Sequence, residues 1–296
     1  MLNNIEAYIE SLRRALAGSD PALVQDALSD AEEHLRTAFA QVRRDKPELS
    51  ETEALGRIIE EYGTPDEIAA AYRDNETRSV LPLAPAPKME DKSLLARFFG
   101  VFVDPRAYAA LFYMLFSLIT GIIYFTWAVT GLSLSVGFAI LIFGLPFFAV
   151  FLLSIRGIAL VEGRIVETLL GIRMPRRPVS TRMHLGLWDR FKALLTDRRS
   201  WTPIVYMLLM LPLGTLYFTV FVTMIAFGLS GVAYPILSYY IDLPMFNFNS
   251  FAFYPPDWMY PLIVMVGVLW IILTMHLAKA IGMAHGRFAK ALLVSE

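Results

Sequence analysis

Four histidines, His34, His184, His276 and His285, are the side chains of this sequence that would carry proton transfer, phosphoryl acceptance or metal ligation. Their placement supports none of these. His34 lies within an amphipathic helical pattern with nothing beside it that looks like a kinase dimerisation box, and reads as a structural histidine. The other three are spread without metal-ligand spacing, and no phosphate-binding loop, nucleotide fingerprint or nucleophile elbow occurs. The chain has no cysteine, which removes disulfides, thiolate metal sites and cysteine nucleophiles. Catalytic, metal-binding and cofactor-binding residues are therefore not expected.

Two other concentrations of side chains remain. Ten basic residues fall between Arg156 and Arg199, among them Arg173, Arg176, Arg177, Arg190, Arg198 and Arg199. Such a segment either anchors to anionic lipid headgroups or forms a docking surface for an acidic partner. The second concentration is aromatic. Between Gly231 and Met259 lie Phe246, Phe248, Phe251, Phe253 and Trp258 with several tyrosines, against only Asp242 and Asp257 as charges. This segment belongs at a membrane interface, either as an aromatic belt with a packed lid or as a site sensing an apolar or envelope-active ligand.

The elements that position these residues follow from periodicity and charge. Residues 1–78 carry 17 acidic and 9 basic side chains, a net of −8, and contain no long apolar run. Apolar stripes at helical spacing run through Ile5, Ile9, Leu12 and Leu16, then Val24 to Val42, then Leu55, Ile58, Ile59 and Tyr62. Gly18 and Gly63 close helices, and Ser50-Glu51-Thr52-Glu53 and Thr64-Pro65-Asp66-Glu67 are capping boxes. Four short helices make a small soluble bundle. Residues 79–93 form a proline-rich linker, and Leu94–Val103 an amphipathic helix at the membrane surface.

This first segment resembles the HAAS domain, a small helical signalling module of bacteria, in Asp30-Ala31-Glu32-Glu33-His34-Leu35, Glu53-Ala54 and Tyr62-Gly63-Thr64-Pro65-Asp66-Glu67-Ile68-Ala69. The resemblance implies intracellular signalling, with a cytoplasmic partner such as a PadR-type regulator or a separate kinase, and no catalysis.

Residues 94–296 are read as a membrane domain. No charge interrupts Ala107–Ile155, which is long enough for two spans with a turn at Thr130 to Ser133. Four spans are expected, at about 107–129, 132–155, 204–229 and 260–280. The fold is all-α: a soluble bundle joined to a four-helix transmembrane domain. By the positive-inside rule the basic 156–199 loop is cytoplasmic, with both termini beside it, in the inner (plasma) membrane. Apart from Lys279, which marks the end of the fourth, the span segments carry no Asp, Glu, Lys or Arg, which weakens an ion-coupled transport reading.

An offset of 93 residues relates Asp104-Pro-Arg106 to Asp197-Arg-Arg199, Tyr113-Met114-Leu115 to Tyr206-Met207-Leu208, Gly121 to Gly214, and Tyr124-Phe125-Thr126 to Tyr217-Phe218-Thr219. Two two-span repeats follow, with the first and third helices packed about a pseudo-twofold axis at Gly121 and Gly214, and candidate kinks at Pro146 and Pro212.

This half resembles the sensor domain found at the N-terminus of bacterial sensor histidine kinases, in Glu162-Gly163-Arg164, Leu169-Leu170-Gly171-Ile172, Thr196-Asp197-Arg198-Arg199-Ser200-Trp201 and Leu211-Pro212-Leu213-Gly214. About 16 residues follow the last span, too few for a kinase, so the expected output is delivered in trans. The function expected is an integral membrane sensor or regulatory protein in contact with membrane lipids, a possible homo-oligomer that makes no direct contact with nucleic acid. The alternatives are an accessory subunit of a membrane complex and, further off, a small-molecule or lipid transporter.

Overall fold

The computed structural model describes residues 4–78, 93–138, 144–176, 196, 198–241, 243–249 and 251–294. Four helices open the chain: α1 (Ile5–Ala15), α2 (Pro21–Asp45), α3 (Glu51–Tyr62) and α4 (Pro65–Arg78). Each start is set by a short polar side chain that accepts from an otherwise unpaired backbone N–H. Asn4 accepts from Ala7 at 2.7 Å, and Asp20 from Ala22 at 2.9 Å. Both capping boxes close. The Ser50 N–H donates to Glu53 at 3.0 Å, and the Thr64 N–H to Glu67 at 2.8 Å.

These caps make the bundle acid-sensitive. Donation from the Ser50 side chain, then from its backbone, holds the Glu53 carboxyl below its ordinary range, and donation from the Thr64 backbone and hydroxyl does the same for Glu67. A carboxyl depressed on folding stabilises fully above its unfolded pKa, and the contribution disappears as pH falls through the folded value. Protection of the α3 and α4 amides, taken relative to the intrinsic exchange rate at each pH, is therefore expected to fall as pH drops through the carboxylate range. In Ser50→Ala that fall should shrink for α3.

One core unites the four helices. Leu12, Leu16, Leu23, Ala27, Ala31, Leu35, Ile58 and Ala69 are buried together with Tyr8, whose hydroxyl donates to the Gly63 carbonyl at 2.8 Å. Gly63 takes φ +111°, a conformation that side-chain-bearing residues rarely adopt, and lets α3 end and α4 begin within two residues.

The remaining elements are α5 (Leu94–Phe99), a 3₁₀ turn (Gly100–Val103), α6 (Pro105–Phe138), α7 (Gly144–Leu170), α8 (Arg198–Ile241), strands β1 (Phe246–Phe248) and β2 (Phe251–Phe253), a second 3₁₀ turn (Asp257–Met259) and α9 (Tyr260–Leu293). Among the described residues the fold is all-α apart from this one hairpin. Three described helices are long and apolar enough to cross a membrane: Pro105–Phe138, Ser200–Ile241 and Asp257–Leu293.

The turn expected at Thr130 to Ser133 is not there. α6 runs through it to Phe138. Gly131, within that range, stays helical and lets the Phe151 ring lie against the backbone, where a Cβ would collide with it. A lone glycine costs a helix about 1 kcal/mol, far less than leaving backbone groups unpaired in an apolar setting. The expected second span, 132–155, thus begins inside α6, and residues 139–143 within it lie outside the described ones. Twelve described residues of α7 precede Arg156. Beyond Arg156 the helix continues through Glu162 and Arg164, and it is not among the three that qualify. Pro146 is not a kink either. It sits in the first turn of α7, where its missing N–H is not needed. Pro212 lies inside α8.

The chain divides into two compact units: residues 1–84, 130–206 and 288–296, and residues 85–129 and 207–287. In the second unit, α6 and α8 meet at glycines. A Cβ on Gly121 would stand 2.5 Å from the Met210 carbonyl oxygen and 3.1 Å from Leu211 Cα, and one on Gly214 would overlap the Ser117 carbonyl and reach Leu118 N at 3.0 Å. The two contacts are reciprocal: adding 93 to 121, 117 and 118 gives 214, 210 and 211. A second seam joins α8 to α9, where Gly231 faces Gly267.

Candidate functional site: the stub after α7 and the aromatic hairpin

α7 ends at Gly171, whose φ of +67° turns the chain back along the helix it has just left. The motif Glu162-Gly163-Arg164 receives it. Gly163 leaves room for Met174, which is fully buried, and Arg164 bonds both Glu167 and the Pro175 carbonyl. Glu162, also buried, accepts a 2.7 Å hydrogen bond from Tyr206 at the start of α8. Arg156 donates to the Ser200 hydroxyl at 3.1 Å. Two polar bonds thus tie α7 to α8 on one side of the motif, and the folded-back stub 171–176 lies on the other.

The N-terminal bundle sits on that stub. The Arg176 backbone N–H donates to Asp26 Oδ1 at 2.6 Å. The Arg173 guanidinium lies 3.3 Å from Glu76 and 3.9 Å from Asp26, and Arg176 lies 3.6 Å from Glu167. The Arg173 and Asp26 side chains are 16% and 9% exposed, so their attraction is little screened. A second anchor joins Lys290, near the C-terminal end of α9, to Asp20 at 2.5 Å. Asp20 also caps α2, so one carboxylate serves a helix terminus and a contact.

In the other unit, the chain between α8 and α9 folds as a hairpin, with Phe246 opposite Phe253 and Phe248 opposite Phe251. Asn249 at its tip adopts φ +55°. Side chains alternate along a strand and directly paired residues share a face, so the four phenylalanines line one face while Asn247 and Ala252 take the other. Met245 N–H donates to the Phe253 carbonyl, and the Tyr234 hydroxyl to the Leu243 carbonyl at 3.0 Å, fixing the hairpin to α8.

A family model described as Putative sensor matches residues 113–293, more than half of the chain, and one described as HAAS matches residues 7–71. The chain belongs to the Putative sensor family. No curated protein and no solved structure matches it.

Within this sensor-family chain the expected docking residues divide. Arg173 and Arg176 meet the HAAS domain. Arg198 and Arg199 open α8, and Arg177 and Arg190 lie outside the described residues. The five aromatic residues expected to sense a ligand all belong to the hairpin and the turn that follows it. The histidines go elsewhere. His34 stacks on Tyr62 at 4.4 Å, His276 on Phe98, and His285 lies 2.8 Å from the Tyr113 hydroxyl; His184 is outside the described residues.

Charge alone does not single out Asp26, Glu76 and Glu167 from the other acids, because their use depends on the fold-back at Gly171, nor Asp20, whose partner Lys290 lies 270 residues away. The hairpin had a readable signal in Phe-Asn-Phe-Asn-Ser-Phe-Ala-Phe, strict alternation around an Asn-Ser turn.

Proposed function

We propose that this protein relays an envelope or lipid-phase signal across the plasma membrane to a cytoplasmic partner in trans, with the HAAS domain as its output. The observation that carries the reading is the clamp of Asp26 and Glu76 on Arg173 and Arg176, immediately after the helix that Glu162 and Arg156 tie to α8. A displacement between α7 and α8 strains these ties, and the stub holding the HAAS domain is next in the chain. Docked and released positions of that domain are the two states such a sensor needs.

The orientation belongs to the same proposal. The stub after α7 and the end of α9 touch one soluble domain, through Arg173 and Lys290. Both contacts support an even number of crossings with α7 as the fourth, and the ten basic residues from Arg156 to Arg199 support the cytoplasm as the side they share. The reciprocal contacts of Gly121 and Gly214 support a duplicated two-span unit. No catalytic step is assigned to the chain. Any reaction belongs to the partner, a PadR-type regulator or a separate kinase.

Photocrosslinking from the HAAS surface in intact cells tests the reading. Recovery of a regulator or kinase is the expected result. Stoichiometric recovery of integral membrane proteins alone would replace the sensor with an accessory subunit of a membrane assembly.

A further inference from the structure

The phenylalanine face of the hairpin is bare. Phe246, Phe248 and Phe251 are 58%, 83% and 65% exposed, and Trp258 just beyond them is 69% exposed. Burying one such side chain is worth about 1.5–3 kcal/mol, so a one-sided cluster left open marks a contact surface.

Its position identifies what covers it. The Tyr234 and Tyr260 rings meet at 6.2 Å, placing the base of the hairpin level with the first residue of α9. From Tyr260 to Lys279 the helix rises about 28 Å, the thickness of a bilayer's hydrocarbon core. Lys279 pairs with Asp104 at the far end. The hairpin thus stands where the apolar length of α9 begins, the level at which aromatic side chains concentrate in membrane proteins. Apolar side chains at the adjoining ends of both helices are exposed as well: Ile236 and Leu237 on α8 and Leu262 and Val266 on α9. A protein epitope would carry a polar rim around an apolar centre. Here the polar side chains Asn247 and Asn249 lie on the opposite face and at the tip.

We propose that the hairpin is a lipid-inserted paddle, its four phenylalanines seated in the headgroup and acyl boundary of the leaflet at that end, so that the segment reads lipid packing directly. This rests on the reading of α8 and α9 as membrane-crossing helices. It assigns the aromatic segment a lipid surface as its ligand.

The cysteine-free sequence allows single nitroxide labels on the full chain in lipid nanodiscs. Labels at Phe248→Cys and, as a second reporter, Phe251→Cys are expected to sit about 5–10 Å below the headgroup surface, favouring oxygen over a water-soluble nickel chelate. Asn247→Cys should favour the nickel chelate, and Leu216→Cys, midway along α8, should read as deep. Equal nickel access at positions 247, 248 and 251 with Leu216→Cys still deep would overturn the paddle alone. Nickel access at position 216 as well would overturn the membrane reading with it. Shielding of both phenylalanine positions from both reagents, or dipolar broadening between copies, would show protein rather than lipid on this face and would also overturn the proposal.

Discussion

Arg173→Glu is expected to release the HAAS domain from the stub after α7. The substitution removes the partner of Asp26 and Glu76 and places a third carboxylate between them, with Asp26 9% exposed. Breaking a buried ion pair from one side costs about 3–5 kcal/mol, because the remaining charge stays desolvated. That lowers the docked-to-released ratio by roughly two orders of magnitude or more. The change is read by proteolysis of the 79–92 linker and by hydrogen exchange of the α2 amides near Asp26. Adding Glu76→Arg restores one opposite-charge pair and should recover part of the protection. Arg13→Glu is the surface control. Arg13 pairs with Glu10 at 3.8 Å with both side chains about half exposed or more, and such a pair contributes roughly 0–1 kcal/mol. A release as large in the control as in Arg173→Glu would mean that net charge, not the buried pair, holds the domain.

Gly214→Val should be the most damaging single change in the membrane half. The new Cβ collides with the Ser117 carbonyl, a backbone group inside α6 that cannot rotate away, so α6 and α8 must separate. Overpacking typically costs 1–3 kcal/mol, occasionally more. The helix-propensity gain on removing a glycine, at most about 1 kcal/mol, does not offset it. Gly121→Val meets the Met210 carbonyl in the same way and should behave alike. Gly157→Ala in α7 has nothing within 4 Å of its Cβ and is expected to be neutral or slightly stabilising. Thermal unfolding in detergent, followed by loss of the monodisperse species, ranks the three.

The sequence was most legible where a local rule decides the outcome. Ser50, Thr64 and Gly63 marked helix boundaries correctly, because a cap or a positive φ is settled within four residues, while α1 ends at Ala15, three residues before the Gly18 expected to stop it. The stripes of α1 to α3 likewise placed Leu12, Leu16, Ala27, Leu35 and Ile58 in the core. Tyr8 escaped notice because burying it depends on a hydroxyl partner 55 residues away. Failure came where a local weakness was overridden from outside. The turn expected at Thr130 to Ser133 is such a case: α6 runs through it, and Phe151 fills the space beside Gly131. The basic loop left anionic lipid and an acidic docking partner both open, because which arginines meet which acids depends on the chain reversal at Gly171.

The central claim is that the HAAS domain docks on the stub following α7. Gln25→Cys paired with Arg176→Cys leaves the Arg173 clamp and the Arg176 backbone donor in place and, in a chain with no other thiol, tests it with a short bis-maleimide applied to native membranes. The account predicts rapid intramolecular crosslinking, absent from a matched pair of Arg13→Cys with Arg176→Cys. If neither pair crosslinks while each single cysteine reacts freely with monofunctional maleimide, the two segments do not meet and the account is wrong.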